Sequence, residues 1–407
     1  MVKCKRWEVR RLSIQLFEKL HCDEIGPEIV THVYDPLTGM RGVVVIDTLA
    51  YGSSGGGIRM LPSINTEEIA RLARVMTYKF AALKLPLGGA KGGIWHDPKA
   101  PDRDEIVAAY GRAIKPLIAQ GLYIAGADMG TNASDVMELY RIAGVPEGAP
   151  SGIGLKIKEG MPLEDHFTGF GVVIAAKTAC KFADVQIESA SVALEGFGKV
   201  GGGVARYIQR AGARLVAIST TEGAIYNSKG LDVEKLLEMR KQHGDKVVLS
   251  YKDAKTIKQE ELFTLPVDIL VPGARPDVIN ESNAYKIKAK VVAEAANIPI
   301  TSRAEEILFD RGIISVPDFI ANAGGVISEV VDRMSEGKAT EKQAFVNIEK
   351  TIASTVKEVI STALRDRINP RATAIEMTKE TVMEAIRRRE KLGWEQTRKV
   401  VKEQFKI

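Results

Sequence analysis

The first part of the chain alternates between two spacings of apolar residues. Residues 28–34 and 40–47 have the composition of strands and flank an Asp-Pro-Leu-Thr-Gly turn. From Thr66, which suits a helix N-terminus, apolar side chains recur at helical spacing as far as Phe80. The same criteria predict three more elements: a helix over 12–22, a helix over 104–120 and a strand over 122–125. This part is therefore predicted to mix helices and strands.

The second part repeats strand and helix in a regular order. Residues 144–165 are rich in glycine and proline and predict a loop and hinge. Beyond them a helix over 169–182 leads to a strand over 191–195. The alternation continues through 214–219, 233–243, 267–271, 291–293 and 313–316. This order is typical of a parallel sheet built from βαβ units. After residue 335 the chain is predicted to be helical and charged to its end.

Composition narrows the class of protein without identifying it. The 407 residues are 45% hydrophobic and 27% charged, which is ordinary for a globular protein with two cores. A net charge of +5 is small for this length, so no nucleic-acid partner is expected. The three cysteines lack disulfide spacing and the five histidines lack metal-ligand spacing. No apolar run suits a leader or a membrane span, so we expect a cytoplasmic protein with no metal and no membrane role.

A glycine-rich motif follows strand 191–195 and opens a helix over 204–209: Gly196-Phe197-Gly198-Lys199-Val200-Gly201. In this context the motif predicts a dinucleotide whose pyrophosphate lies at the helix N-terminus. The second strand then ends in Ser219-Thr220-Thr221 instead of the acid that normally binds the adenosine ribose. The missing acid favours NADP slightly, since hydroxyls such as that of Thr220 can donate to a 2′-phosphate. Glu222, one or two positions later, leaves NAD open.

Two lysines and an aspartate lie in apolar or glycine-rich surroundings. Lys79 comes near the end of the helix that starts at Thr66, and Lys91 lies in a glycine loop where little bulk shields its ammonium. Asp128 follows the strand over 122–125, at the edge where open α/β sheets hold ligands. Two cations and a carboxylate suit an amino acid: one lysine binds its α-carboxylate, the other acts on water as a base, and the aspartate moves protons at the amine. The alternative is that both lysines are ordinary surface charges.

The motifs, taken in order, resemble those of the glutamate/leucine/phenylalanine/valine dehydrogenase superfamily along nearly the whole chain. The matching stretches are 55–60, 76–79, 86–93, 127–131, 168–171, 196–201, 293–297 and 317–326. The resemblance implies reversible oxidative deamination of an L-amino acid to a 2-oxo acid and ammonia, with NAD or NADP. It also implies a homo-oligomer, most favourably a hexamer formed through the N-terminal lobe.

The resemblance assigns roles to single residues. Lys79 matches the lysine that binds the substrate carboxylate, and Lys91 and Asp128 match the catalytic lysine and aspartate. The implied cofactor contacts outside the glycine motif are Thr168, Ala296, Asn297 and Asn322, to which the strand-end hydroxyl adds Thr220. Gly56, Asn322 and Val326 join the substrate pocket. The expected architecture is a two-lobed α/β protein with the site between its lobes. Residues 1–150 form the substrate-binding and oligomerisation lobe, on which the helices of 336–407 pack, and 165–335 form the Rossmann lobe.

The chain departs from glutamate-specific members at two positions. Gly55 stands where those members have the lysine that binds the substrate side-chain carboxylate, and Glu329 stands where they have a serine, three residues after the valine of Gly-Gly-Val. Gly126 leaves extra space, so we expect a roomy pocket that favours a cationic or polar side chain if Glu329 points inward. The alternative is that Glu329 turns outward on its helix or that Ser328 takes the inward place. Glutamate is the alternative substrate, because the Lys-Gly-Gly around Lys91 resembles glutamate enzymes more than leucine ones. A nucleotide-binding regulatory paralogue and a hydroxy-acid oxidoreductase are further alternatives.

Overall fold

The computed structural model describes residues 20–145, 154, 156–335 and 337–405. Contacts divide the chain into two units, the first within Met1–Pro150 and Lys379–Ile407 and the second within Ser151–Thr378. Of the helix predicted over 12–22, residues 12–19 lie outside the described residues, and 20–22 are not helical. Among the helices that are described, none combines the length and apolar character needed to cross a bilayer.

The first unit is built on a five-stranded mixed sheet. Its strands are β1 (Ile29–Tyr34), β2 (Arg41–Ile46), β3 (Ser54–Met60), β4 (Gly88–Ile94) and β5 (Tyr123–Ala127), and its first helices are α1 (Thr66–Ala82), α2 (Arg103–Ala119) and α3 (Ala133–Ala143). The strand order is β1-β2-β4-β3-β5, in which β4, β3 and β5 run parallel and β1 and β2 pair antiparallel. Side chains alternate along β2: Val43 and Val45 pack towards α1, while Val44 and Ile46 pack towards α2 and α3.

The glycine-rich segment around Lys91 is not the loop that we expected. It forms β4, a buried strand inside the sheet. Its glycines are required by packing, because a Cβ atom on Gly89 would lie 2.2 Å from the backbone nitrogen of Thr77 on α1. Helix α1 therefore lies directly on β4, and its N-cap is Asn65, whose side chain accepts a hydrogen bond from the Glu68 amide.

The second unit contains a two-stranded ribbon, a seven-stranded sheet and helices. Its strands are β6 (Ile157–Lys158), β7 (Met161–Pro162), β8 (Ser191–Glu195), β9 (Arg214–Thr220), β10 (Gly223–Tyr226), β11 (Lys255–Ile257), β12 (Ile269–Pro272), β13 (Val291–Ala293) and β14 (Ile314–Val316). The sheet order is β11-β10-β9-β8-β12-β13-β14. The five strands from β9 to β14 in that order are parallel, as predicted. Strands β10 and β11 were not predicted and extend one edge antiparallel.

The remaining helices follow in chain order: α4 (Leu163–Cys180), α5 (Lys199–Arg210), α6 (Val233–His243), α7 (Val247–Ser250), α8 (Gln259–Leu262), α9 (Ser302–Asp310), α10 (Asp318–Ala321), α11 (Gly324–Met334), α12 (Glu341–Asp366), α13 (Pro370–Leu392) and α14 (Trp394–Phe405). The expectation that all of 336–407 packs on the N-terminal lobe needs correction. Helix α12 packs on α4 within the second unit, where Phe345 contacts Phe167 edge to face. Only from Lys379 onward does the chain belong to the first unit, where Val382 and Ile386 join a cluster with Ala81.

Candidate active site

Three neighbouring parallel strands bring charged residues together in the first unit. Lys91 lies in β4, Arg59 lies in the adjacent β3, and Asp128 directly follows β5 on the other side of β3. Lys91 shares the side of β4 that faces α1 with Gly89, because alternate residues of a strand point the same way. The sheet thus places two predicted catalytic residues, Lys91 and Asp128, on either side of one strand.

The Asp128 carboxylate is the centre of this cluster. Its Oδ2 atom accepts from Nζ of Lys91 and from Nε of Arg59, each at 3.0 Å. The Arg59 guanidinium also donates through Nη1 to Oε1 of Glu68 on α1, at 2.7 Å. The side chains of Lys91 and Arg59 are 5% and 4% exposed, and that of Asp128 is 16% exposed. The carboxylate is therefore fixed by two buried cations and keeps a small accessible surface.

The turn after β5 fixes the backbone of Asp128. Its amide donates to Oγ1 of Thr131 at 3.0 Å, and that hydroxyl donates to the Ile58 carbonyl of β3 at 2.7 Å. Gly130 has a positive φ of 82°, and a Cβ atom there would lie 2.0 Å from the Met60 carbonyl oxygen. Only glycine fits this turn, so the position of the carboxylate is set by the backbone as well as by ion pairs.

The combined effect of burial and neighbouring charges lowers the pKa values of both Lys91 and Asp128. Burial lowers the pKa of the Lys91 ammonium below its ordinary value; the Asp128 carboxylate opposes this shift, and the Arg59 guanidinium adds to it. Burial by itself would raise the pKa of Asp128, but Lys91 and Arg59 outweigh it and hold that pKa well below its usual range. The site therefore combines a lysine that releases its proton more readily than an ordinary lysine with a carboxylate that stays ionised.

Lys79 lies near the end of α1 and is buried, with 5% of its surface exposed. The turn that carries it is fastened to the sheet through Thr77. The Thr77 hydroxyl donates to Oδ2 of Asp47 at 2.5 Å and accepts from the Gly89 amide at 3.1 Å. Lys79 and Lys91 therefore belong to a helix and a strand that are joined by a direct hydrogen bond, and neither lysine is an ordinary surface charge.

The glycines predicted to line the pocket differ in their surroundings. A Cβ atom on Gly126 would have open space, since its nearest neighbour is the Gly57 Cα atom at 4.0 Å. At Gly55 a Cβ atom would lie 3.0 Å from the Phe80 ring, and at Gly56 it would lie 1.7 Å from the Ala90 carbonyl oxygen. Gly56 therefore serves strand packing, Gly55 lies against an aromatic ring, and Gly126 leaves room that a larger residue would fill.

The glycine turn in the second unit fits a dinucleotide pyrophosphate. Gly196 has a positive φ of 88°, and a Cβ atom on Gly201 would lie 1.9 Å from the Gly196 carbonyl oxygen. A Cβ atom on Gly198 would meet nothing within 4 Å, so a ligand can approach the backbone there. Lys199 and Val200 begin α5, whose N-cap makes no side-chain hydrogen bond. The first amides of α5 therefore face this open space without a side-chain cap.

The residues predicted near the nicotinamide lie on neighbouring loops and helices of the second unit. Nδ2 of Asn322 donates to Oδ1 of Asn297 at 3.0 Å and is 3.4 Å from the Ala296 carbonyl oxygen. Thr168 lies on α4 close to α11, because a Cβ atom on Gly325 would be 3.0 Å from its Oγ1. The structure thus brings Asn297 and Asn322 together and places Thr168 beside the start of α11.

Helix α11 carries the residues predicted to choose the substrate side chain. Ser328 is 2% exposed, and its hydroxyl donates to the Gly325 carbonyl at 2.7 Å. Val326 and Glu329 are half-buried and share a face of the helix. The Glu329 carboxylate lies 3.4 Å from Nε of Arg333, one turn later. Its charge is therefore partly balanced by its own helix.

The end of β9 differs from what the sequence predicted. The Thr220 hydroxyl donates to the Asp245 carbonyl oxygen at 2.6 Å, and the Thr221 hydroxyl donates to Oδ2 of Asp245 at 2.8 Å. These hydroxyls are therefore already engaged, and a carboxylate does lie at the end of the second strand. Sequence reasoning missed two residues: Arg59, which binds Asp128, and Asp245, which binds the Thr220 and Thr221 hydroxyls. An arginine inside the glycine-rich Gly-Gly-Gly-Ile-Arg-Met stretch was a signal for the first, whereas nothing local marked the second.

Comparisons with known proteins cover both units. Residues 160–390 match the family described as glutamate/leucine/phenylalanine/valine dehydrogenase, and residues 5–142 match the dimerisation domain of the same family. A glutamate dehydrogenase of Thermotoga maritima is 41% identical over 303 residues, which are 71% of this chain and 70% of the relative.

Relatives with different cofactors also match. An NADP-specific glutamate dehydrogenase of Saccharolobus shibatae is 36% identical over 295 residues, 70% of this chain and 68% of the relative. An NAD-specific glutamate dehydrogenase of Staphylococcus aureus is 38% identical over 289 residues, 68% of each chain. Among solved structures, the hetero-hexameric glutamate dehydrogenase of Thermus thermophilus in a leucine-bound form is similar with a TM-score of 0.80 and 26% identity, covering 94% of this chain and 96% of that one.

Proposed function

Because the chain belongs to the glutamate/leucine/phenylalanine/valine dehydrogenase family, we propose that it oxidatively deaminates an L-amino acid whose side chain lacks the γ-carboxylate of glutamate. The chain is an NAD(P)-dependent amino acid dehydrogenase that acts on a CH–NH₂ group. We place the reaction at the Asp128 cluster because both Lys91 and Arg59 bind the Asp128 carboxylate. The products are a 2-oxo acid and ammonia, and the reaction is reversible.

The nicotinamide group, when bound, accepts the hydride from the substrate Cα. The residues that suit binding of this cofactor are the glycine turn from Gly196 to Gly201, for the pyrophosphate, and Thr168, Asn297 and Asn322, for the nicotinamide end. Their role is to hold and orient the ring.

Lys79, Lys91 and Asp128 divide the work on the amino acid. Lys79 binds the α-carboxylate through its ammonium. Neutral Lys91 takes a proton from the water that attacks the iminium carbon, and its lowered pKa makes that neutral form accessible. Asp128 is ionised before the reaction, so its carboxylate is free to accept a proton from the substrate amine before hydride loss and to return that proton to the departing ammonia. The cations Lys91 and Arg59 make the protonated carboxyl short-lived. Arg59 keeps Asp128 in place.

Three positions argue for a side chain other than that of glutamate. Gly55 offers no cation for a γ-carboxylate, and Gly126 leaves open space. Glu329 adds a negative charge on the half-buried face of α11 that also carries Val326. A buried γ-carboxylate would be unpaired there, which is costly, whereas a polar or cationic side chain would not be.

Glutamate is the second candidate substrate. Arg333 lies 3.4 Å from Glu329 and reduces its repulsion of an anionic side chain. The relatives that are 36–41% identical are also glutamate dehydrogenases. The similar structure of the Thermus thermophilus enzyme, a hetero-hexamer, supports an oligomer for this chain, and we propose a homo-hexamer.

The test is reductive amination by the purified chain. Ammonia, NADH or NADPH and a panel of 2-oxo acids with anionic, aliphatic, aromatic and cationic side chains are supplied, and nucleotide oxidation is followed by absorbance. We expect turnover with a non-anionic acid to exceed that with 2-oxoglutarate. The double variant Gly55→Lys with Glu329→Ser should move the preference towards 2-oxoglutarate, with Gly55→Met as the control for bulk against Phe80. Preference of the unmodified chain for 2-oxoglutarate would establish the second candidate, and silence on the whole panel would contradict both.

A further inference from the structure

An acid from another part of the chain lies at the end of β9. Asp245 belongs to the short turn over 244–246 that follows α6. The Thr220 hydroxyl binds its carbonyl at 2.6 Å and the Thr221 hydroxyl binds its Oδ2 at 2.8 Å, so the strand end holds both the backbone and the side chain of this turn. The Asp245 side chain is 42% exposed. A carboxylate accepts several hydrogen bonds, so Asp245 keeps free acceptor positions for a ligand.

A cation lies on the other side of the same carboxylate. Nη2 of Arg240, in the last turn of α6, is 3.5 Å from Oδ1 of Asp245. Its guanidinium carbon is 5.9 Å from the ring centre of Phe197, the second residue of the glycine turn. Nε of Arg240 is buried and, within the described chain, has no hydrogen-bond partner. The guanidinium is therefore held beside the glycine turn with donor capacity to spare.

The strand end and the glycine turn are in direct contact. The amide of Phe197 donates to the Ser219 carbonyl at 2.7 Å, and the amide of Gly196 donates to the Ser219 hydroxyl at 3.2 Å. A dinucleotide that places its pyrophosphate over the turn has its adenosine ribose at the end of the second strand. Asp245 and Arg240 are the acid and the cation that meet at this end.

We propose that Asp245 and Arg240 together decide between NAD and NADP, and that the unmodified chain prefers NAD. An acid at this position accepts hydrogen bonds from the ribose hydroxyls and repels a 2′-phosphate. The second strand itself has a threonine, Thr220, where this acid would stand, and Asp245 supplies the carboxylate instead. Asp245 also forms an ion pair with Arg240, and without it the Arg240 guanidinium would bind a 2′-phosphate. The slight preference for NADP inferred from the sequence is thereby reversed. This inference rests on the proposed function only in that a dinucleotide lies along the glycine turn.

The experiment measures binding without any amino acid or 2-oxo acid. NADH and NADPH are titrated into the purified chain and their dissociation constants are read from nucleotide fluorescence. We expect NADH to bind about tenfold more tightly than NADPH, or better, since like charges in contact are costly. Asp245→Asn keeps an oxygen for the Thr221 hydroxyl, so the turn stays docked. It should raise NADPH affinity about tenfold and lower NADH affinity several-fold. Adding Arg240→Gln to this variant should remove the gain for NADPH.

The matched control is Glu222→Gln, which neutralises the exposed acid nearest to Thr220 along the chain. Its ratio of NADH to NADPH affinity should equal that of the unmodified chain. Three results would overturn the proposal: NADPH binding the unmodified chain as tightly as NADH, an unchanged ratio in Asp245→Asn, or a shift produced by Glu222→Gln instead. Selective NADH binding without turnover on any 2-oxo acid would contradict the proposed function and leave this inference standing.

Discussion

Nζ of Lys91 lies 3.0 Å from Oδ2 of Asp128, so a lysine of β4 and the residue after β5 form an ion pair across β3. Two effects act on the pKa of Lys91 in opposite directions. Burial favours the neutral amine of Lys91, while the carboxylate favours the ammonium. The balance is adjusted by Arg59, which binds the same oxygen as Lys91. Substitutions around this pair therefore have effects whose direction is fixed by charge.

Replacing Lys91 by methionine should remove the base and keep the volume of the side chain. We expect kcat to fall about 10³-fold, in the range that general acid–base groups contribute. Dissociation constants for NADH and NADPH should stay within twofold, because the glycine turn is in the other unit. Steady-state kinetics and nucleotide fluorescence check the two parts. A variant with raised KM and unchanged kcat would show that Lys91 binds substrate without acting as the base.

The rate of deamination should rise with pH as Lys91 loses its proton. Because burial lowers the pKa of Lys91, the midpoint of the rise should lie below the ordinary lysine pKa of 10.5. Asp128→Asn removes a charge that raises this pKa, so the midpoint should move to lower pH. Arg59→Gln removes a charge that lowers it, so the midpoint should move to higher pH. The pH dependence of kcat for the three proteins is the measurement, and shifts in the same direction would contradict the assignment to Lys91.

Arg59→Lys should damage the site although the charge is kept. One ammonium cannot reproduce both the contact of Nε with Asp128 and that of Nη1 with Glu68. We expect kcat to fall about 10²-fold, since small displacements of catalytic groups have effects of that size. Glu68→Gln is the control, because it leaves the bond between Arg59 and Asp128 intact and should cost only a few-fold. Equal losses in the two variants would mean that Glu68, and not the geometry at Asp128, sets the rate.

Gly89→Ala should change the stability of the fold, whereas Gly126→Ala should change substrate binding. At Gly89 the new methyl group would lie 2.2 Å from the Thr77 amide nitrogen, and we expect the free energy of unfolding to fall by about 3 kcal/mol. At Gly126 the nearest atom is 4.0 Å away, so stability should change by no more than about 0.5 kcal/mol. Urea denaturation measures both. Gly126→Ala should instead raise KM for the bulkiest substrate, and a large loss of stability there would place Gly126 in the core.

The regular elements of the second unit could be predicted because apolar strands alternate with helices, a pattern that survives without tertiary information. Strand β4 could not, because a run of glycines has neither hydrophobic alternation nor β-propensity, and only the packing of α1 on Gly89 calls for it. Lys79, Lys91 and Asp128 were visible through their motifs. Asp245 was not, because the fold alone brings its turn to Thr220.

The glycines of β4 limit which substitutions the strand can accept. Next to Lys91, side chains are excluded on both faces of the strand, since a Cβ atom on Gly92 would lie 2.7 Å from the Tyr110 hydroxyl and one on Gly89 would strike α1. Substitutions in β4 can therefore hardly change the surroundings of Lys91. Gly126 has no such restriction, because the nearest atom to a Cβ atom there is 4.0 Å away. Under the proposed function, a lineage would change the amino acid it consumes by single substitutions at Gly126 and leave the strand around Lys91 unaltered, so redesign of specificity should begin at Gly126.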